Sequence, residues 1–157
     1  MKYTEIKGDL IEAFLNKEVD VIAHQVNCFG VAKSGIAVKI FEALPWLAES
    51  YFSDKRPYNK RLGKLTAAKN GNQWGFNLCG QFHHEHSHPD YKTHYAALYL
   101  ALKLMASILK KEGRVLKVGF PLLGCGLAGG DWERVSENIK RVFSDTDFEI
   151  IVYRFEG

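Results

Sequence analysis

Gly124-Cys125-Gly126-Leu127-Ala128-Gly129-Gly130-Asp131-Trp132 is the stretch from which the fold can be read. Before it runs Val115-Leu116-Lys117-Val118-Gly119-Phe120-Pro121, an apolar segment of strand length, and after it Trp132 to Phe143 has helical spacing. The order is strand, glycine-rich loop, helix. Four glycines among the seven residues from 124 to 130 remove side chains at the junction. Backbone N–H groups there can approach an anion, and the helix N-terminus adds partial positive charge. Asp131 is placed to cap that helix. A strand-to-helix turn without a ligand has the same composition, so the loop alone decides architecture before it decides function.

Outward from this segment the alternation repeats. Tyr3 to Lys7 reads as an edge strand, and Asp9 to Leu15 as a short helix with Asp9 at its cap. Val19 to Gln25 is a short apolar run, predicted as a buried strand, followed by a loop from Asn27 to Lys33. A helix from Ser34 is predicted to stop at Pro45, with a second from Trp46 to Phe52 and a polar connection from Ser53 to Asn59. Leu62 to Ala68 and Trp74 to Leu78 read as strands joined by Lys69-Asn70-Gly71-Asn72, where Asn-Gly favours a tight hairpin. Pro89 to Lys111 is predicted as the longest helix, with Leu98, Leu102, Met105 and Leu109 on one stripe. Glu149 to Phe155 reads as a final strand. Strands alternating with helices predict an α/β sandwich around a mostly parallel sheet, made mixed by the hairpin. Ligands of such folds bind outside the carboxyl ends of the parallel strands. Two loops satisfy that position, Asn27 to Gly35 and Gly124 to Gly130.

At 157 residues the chain is sized for one domain, expected to span 1–157. A hydrophobic share of 46% and a charged share of 25% are ordinary for a globular protein. The formal charge of +3 suits an anionic ligand but comes without the basic blocks of a dedicated nucleic-acid binder. No run has the length of a membrane span, and the N-terminus is charged where a signal peptide needs an apolar core. A cytoplasmic monomer without a cofactor is expected. Cys28, Cys79 and Cys125 are odd in number and lack metal-site spacing, which points to reduced thiols.

Several residues carry two readings each. Asn27 either exchanges hydrogen bonds with sugar hydroxyls or holds its loop as an Asx turn. Asp9 either caps its helix or accepts from an exocyclic amine. His24, ending a strand, is either an acid–base group or a core histidine. Lys69 is a nucleophile only if burial or a second cation depresses its pKa; otherwise it is a solvated turn residue. The run His83-His84-Glu85-His86-Ser87-His88 precedes Pro89 and is expected to be a solvated loop, not a required metal site. Gly35 opens a helix where backbone can meet a phosphate.

Taken together these residues resemble the macro domain family. The resemblance rests on Lys7-Gly8-Asp9-Leu10, on Val21-Ile22-Ala23-His24-Gln25-Val26-Asn27-Cys28 with Ser34-Gly35-Ile36-Ala37, and on Pro121 through Trp132. It covers nearly the whole chain. The nearest branch holds terminal ADP-ribose protein glycohydrolases and ADP-ribose-1''-phosphate phosphatases, and phage-encoded members look alike. The resemblance implies a three-layer α/β/α sandwich and a cleft for ADP-ribose or a derivative, free or on a modified protein or nucleic acid. By position Asp9 meets the adenine amino group and Tyr153 or Phe155 its face. Asn27 and Gly35 meet the distal ribose and phosphate. Gly124, Cys125, Gly126, Leu127, Ala128 and Gly129 wrap the pyrophosphate and that ribose. It implies Lys69 as the glycohydrolase lysine and His24 as the phosphatase histidine; Asp131 is read as helping His24 position water, or as standing in for the missing aspartate if the loop folds back. Ala128 departs from the pattern, because the glycohydrolase branch carries a catalytic aspartate there. The expected activity is hydrolysis of an ADP-ribose derivative; the alternative is a reader that binds without turnover.

Overall fold

The computed structural model describes residues 1–155 of the chain; Glu156 and Gly157, the last two residues of the expected domain, lie outside them. The elements are β1 (Lys2–Lys7), α1 (Leu10–Leu15), β2 (Val21–Asn27), α2 (Gly35–Ala43), α3 (Pro45–Phe52), β3 (Leu65–Asn70), β4 (Gln73–Gln81), α4 (Tyr95–Lys110), β5 (Lys117–Phe120), α5 (Trp132–Phe143) and β6 (Glu149–Arg154). One six-stranded sheet runs in the order β1-β6-β5-β2-β4-β3, parallel except for β3, which pairs antiparallel with β4.

Strand pleating divides the core in two. Val21 and Ala23 of β2, Phe76 and Leu78 of β4, Phe120 of β5 and Val152 of β6 face α4 and α5. Ile22 and Val26 of β2, Cys79 and Tyr153 face α1, α2 and α3. The result is three layers, helices on both sides of the sheet. Phe76, Phe120 and Phe143 are fully buried, each stabilising the fold by roughly 1.5–3 kcal/mol. Gly119 sets how closely α1 sits: a Cβ there would lie 2.6 Å from Leu10 Cδ1. That close approach carries Asp9, the N-cap of α1, to the carboxyl end of the sheet.

Several boundaries shift by a few residues from the sequence reading, and two of the shifts bear on the site. The hairpin turn is shorter, because Lys69 and Asn70 still pair with Trp74 and Gln73, leaving Gly71 at φ +62°. Helix α4 begins at Tyr95 and not at Pro89. The intervening residues are held by the sheet and the glycine-rich loop: Thr93 bridges Gln81, Thr93 N–H donates to Ala128 O at 3.0 Å, and His94 N–H donates to Gly80 O at 2.7 Å. His94 Nδ1 then caps the helix from Ala97 N–H.

Candidate functional site

The carboxyl ends of β1, β6, β5, β2 and β4 open into a cavity of about 920 Å³. At about 4.8 Å per strand these four steps span roughly 19 Å. The sheet order therefore orders the site. Asp9, Tyr153 and Phe155 stand at the β1–β6 end, the glycine-rich loop at β5, Asn27 and the α2 N-terminus at β2, and Gln81, His84 and Glu85 at β4.

At the first end, Asp9 Oδ1 accepts from Ile11 N–H at 2.9 Å and Glu12 N–H at 3.2 Å. The cap thus occupies one oxygen, and the carboxylate both starts α1 and lines the cavity. Tyr153 is buried, which raises its phenol pKa and keeps a neutral ring beside the carboxylate.

In the middle, two sets of N–H donors converge. Gly124 (φ +72°) and Gly129 (φ +68°) turn the loop through left-handed backbone. Gly130 N–H donates to Gly124 O at 2.8 Å and Gly129 N–H to Gly126 O at 3.0 Å, so the loop closes on itself. Among the described residues, the N–H groups of Gly126, Leu127 and Ala128 have no acceptor within the chain. Three successive unpaired amides form a concave anion site. Across from them Ser34 makes no side-chain cap, so the first-turn amides of α2 are also available. The loops meet closely: a Cβ on Gly35 would lie 3.8 Å from Leu127 Cδ1. Cys125 also lines this wall, and burial pushes its thiol up to about 11, away from nucleophilic use.

Asn27 serves its loop first. Its Nδ2 donates to Val31 O at 2.7 Å, and its Oδ1 accepts from Phe29 N–H at 2.9 Å and Tyr51 O–H at 3.0 Å. That is the Asx turn, with the carboxamide still in the cavity wall and one N–H left over.

Nine of the ten binding residues read from the sequence line this cavity; Gly129 turns the loop just behind the wall. The three read as catalytic, His24, Lys69 and Asp131, are not among the residues that line it. His24 is fully buried on the α2–α3 face, where Nε2 donates to Asn77 Oδ1 at 2.6 Å and Phe41 packs edge-on. Desolvation lowers its pKa to about 4, so it is a neutral core histidine. Lys69 pairs in register with Trp74, at the opposite end of β4 from Gln81, roughly 23 Å along the strand. Its ammonium is paired with Glu112 at 2.9 Å. Asp131 is exposed and caps α5, accepting from Glu133 N–H at 3.0 Å.

The wall also contains residues the sequence reading did not assign to the site, two of them from the histidine run it expected to be a solvated loop. Gln81 and Tyr91 border the β4 end, with His84 and Glu85 between them. Tyr91 O–H donates to Leu127 O, which ties the β4–α4 segment to the glycine-rich loop. The segment's other side packs at a tilt against Phe29, whose ring lies 4.5 Å from His83 and 5.6 Å from His84. The available signal was the histidine run itself, obscured by extending the next helix back to Pro89. The rings stack: His83 and His88 are parallel at 3.9 Å. Among the described residues no three His, Cys, Asp or Glu side chains are grouped to hold a metal ion.

No family model matches the chain. The Homo sapiens ADP-ribose glycohydrolase OARD1 is 30% identical over 152 residues, covering 97% of this chain and 91% of that protein. A solved protein of unknown function from Bacteroides thetaiotaomicron superposes with a TM-score of 0.81 at 26% identity, covering 98% of both chains. The macrodomain of Mycobacterium tuberculosis DarG superposes with a TM-score of 0.77 at 23% identity, covering 96% of both. With the fold shared over 96% of both chains and a relative 30% identical over 97% of this one, this chain belongs to the macro domain family.

Proposed function

We propose that the chain binds ADP-ribose in this cavity and hydrolyses the bond that joins it to a modified target. The observation that carries the reading is the run of unpaired amides at Gly126, Leu127 and Ala128, facing the α2 N-terminus midway along the cavity. A pyrophosphate belongs between those donors, one nucleoside reaches toward Asp9, and the distal ribose toward Asn27 and β4. The similarity to a protein named an ADP-ribose glycohydrolase supports hydrolysis. Cleavage of the glycosidic bond is preferred to dephosphorylation of ADP-ribose-1''-phosphate, because His24 and Asp131 lie outside the cavity. The residue that favours a reader instead is Ala128, which lacks the acidic group its branch carries. One chain builds the whole cavity, so a monomer suffices. We place the protein in the cytoplasm, where the free thiols of Cys28 and Cys79, 2.9 Å apart, stay reduced.

Calorimetry and turnover test this together. ADP-ribose is expected to bind with a micromolar Kd, about −8 kcal/mol, and AMP at least tenfold more weakly. Equal binding of the two would mean that only one end of the cavity is used. ADP-ribose should also be released from at least one member of a panel of ADP-ribosylated proteins, ADP-ribosylated oligonucleotides and O-acetyl-ADP-ribose. Tight binding with no release from any of them would establish the reader.

Asn27→Ala is expected to weaken ADP-ribose binding and lower unfolding stability together, each by roughly 1–3 kcal/mol, since Phe29 N–H loses its acceptor and Val31 O its donor, while Tyr51 O–H keeps the Asn27 backbone carbonyl at 2.8 Å. Urea unfolding and calorimetry on the same variant check it. Unchanged stability with lost binding would mean that the turn stands without the carboxamide.

A further inference from the structure

The cavity has two carboxylates in its wall, Asp9 and Glu85, and one histidine, His84. Asp9 stands at the β1 end with Oδ1 committed to the α1 cap. Glu85 and His84 stand at the β4 end, four strands away, on the segment that joins β4 to α4. Resting on the hydrolase reading above, that end holds the distal ribose and therefore the carbon bonded to the target.

The segment's backbone is held in place. Both backbone groups of Glu85 are engaged: its N–H donates to His83 Nδ1 at 3.0 Å, and its carbonyl accepts from His88 N–H at 3.0 Å. His83 N–H donates to Asp90 O at 3.1 Å, which closes the turn. The His84 ring stacks on His83 at 4.8 Å and leans on Phe29. Phe29, two residues after Asn27, donates its N–H to the Asn27 carboxamide in the ribose loop, and Tyr91 holds Leu127 in the glycine-rich loop. The segment thus bridges both ligand loops. Among the described residues nothing donates a hydrogen bond to the Glu85 carboxylate, which is exposed at the cavity wall.

We propose that Glu85 and His84 are the acid–base pair of this hydrolase, taking the place of the acidic group that Ala128 cannot supply. Water attacks the anomeric carbon of the distal ribose. The Glu85 carboxylate takes one proton from that water as the new carbon–oxygen bond forms. The bond from the same carbon to the target breaks, its electron pair goes to the leaving heteroatom, and the His84 imidazolium protonates that atom. The products are free ADP-ribose and the unmodified target. Glu85 then loses its proton to solvent and His84 regains one, so the cycle consumes one water and nothing else. A carboxylate and a second acid–base group on either side of a glycosidic bond are the usual requirement for this cleavage.

The test compares wild type, Glu85→Gln, His84→Gln and Glu85→Ala on whichever panel member the wild type turns over. Lys69→Ala is the control, since Lys69 lies at the far end of the sheet. Glu85→Gln and His84→Gln should each slow ADP-ribose release about 10²–10⁴-fold with the Kd for free ADP-ribose within threefold of wild type. Added formate should restore part of the turnover of Glu85→Ala, because a small carboxylate fits where the side chain was removed. Lys69→Ala should match wild type. An active wild type with Glu85→Gln within threefold of it would overturn the pair and leave the hydrolase reading intact. Loss of release only in proportion to lost ADP-ribose binding would overturn it too, making Glu85 a binding residue. A wild type that binds ADP-ribose and releases it from no substrate would overturn the hydrolase reading, and the pair with it.

Discussion

Gly126→Val is expected to bind ADP-ribose at least about 100-fold more weakly than wild type while unfolding at the same urea concentration. The position allows this clean separation because a Cβ on Gly126 meets no atom within 4 Å and its backbone is not left-handed. A side chain there strains nothing in the empty protein. It stands instead in the space where an anion would reach the amides of Gly126, Leu127 and Ala128. Each hydrogen bond to a charged group contributes roughly 1.5–3 kcal/mol, so losing two costs about 3 kcal/mol or more, which is the 100-fold. Gly130 is the contrasting neighbour: a Cβ there would lie 2.4 Å from the Gly124 carbonyl oxygen, so substitution would break the loop itself. Calorimetry on Gly126→Val decides the matter. Normal affinity in a folded variant would reduce the loop to a connector.

Acid should destabilise the fold through His24. Burial holds its pKa at about 4, against 6.5 in the ordinary case. Between those values the unfolded chain carries a proton at this residue and the folded chain does not. The unfolded state therefore binds more protons, and stability rises with pH across that window. The contribution is complete above about pH 6.5 and falls by about 3 kcal/mol as pH drops to 4, taking 1.36 kcal/mol per pH unit. His24→Gln keeps a donor toward Asn77 Oδ1 and does not titrate. Urea unfolding at pH 7 and pH 5 should show a wild-type loss about 2 kcal/mol greater than that of the variant. Equal losses would mean that His24 protonates as easily in the fold as outside it.

The two loops read from the sequence line the cavity, while the side chains read as catalytic stand away from its lining. Asp9 and Asp131 were legible as helix caps, because capping is decided within three residues. The glycines of the 124–130 loop were legible because backbone freedom is a property of the residue itself. His24 and Lys69 were each open between two readings, and family position favoured the catalytic one. What decided against it was strand geometry. His24 alternates with Ala23 and so points to the α2–α3 core, while the antiparallel pairing of β3 carries Lys69 to the far edge of the sheet. Neither fact is encoded in the residues next to them.

Sequence alone determined that this chain alternates strands and helices, that the sheet is parallel apart from one hairpin, and that two glycine-marked loops stand where ligands bind. Apolar periodicity and turn chemistry carry that information, and both act over a few residues. Only the tertiary structure decided the order β1-β6-β5-β2-β4-β3, and with it which side chains share the cavity. It also decided that residues 89 to 94 leave the helix, because Gln81, Gly80 and Ala128 compete for their backbone groups from elements distant in the chain. That competition brings His84 and Glu85 to the end of β4. Hydrogen bonds between remote segments outweigh the weak local preference for extending a helix, so the β4 end of the site appears only once the sheet has formed.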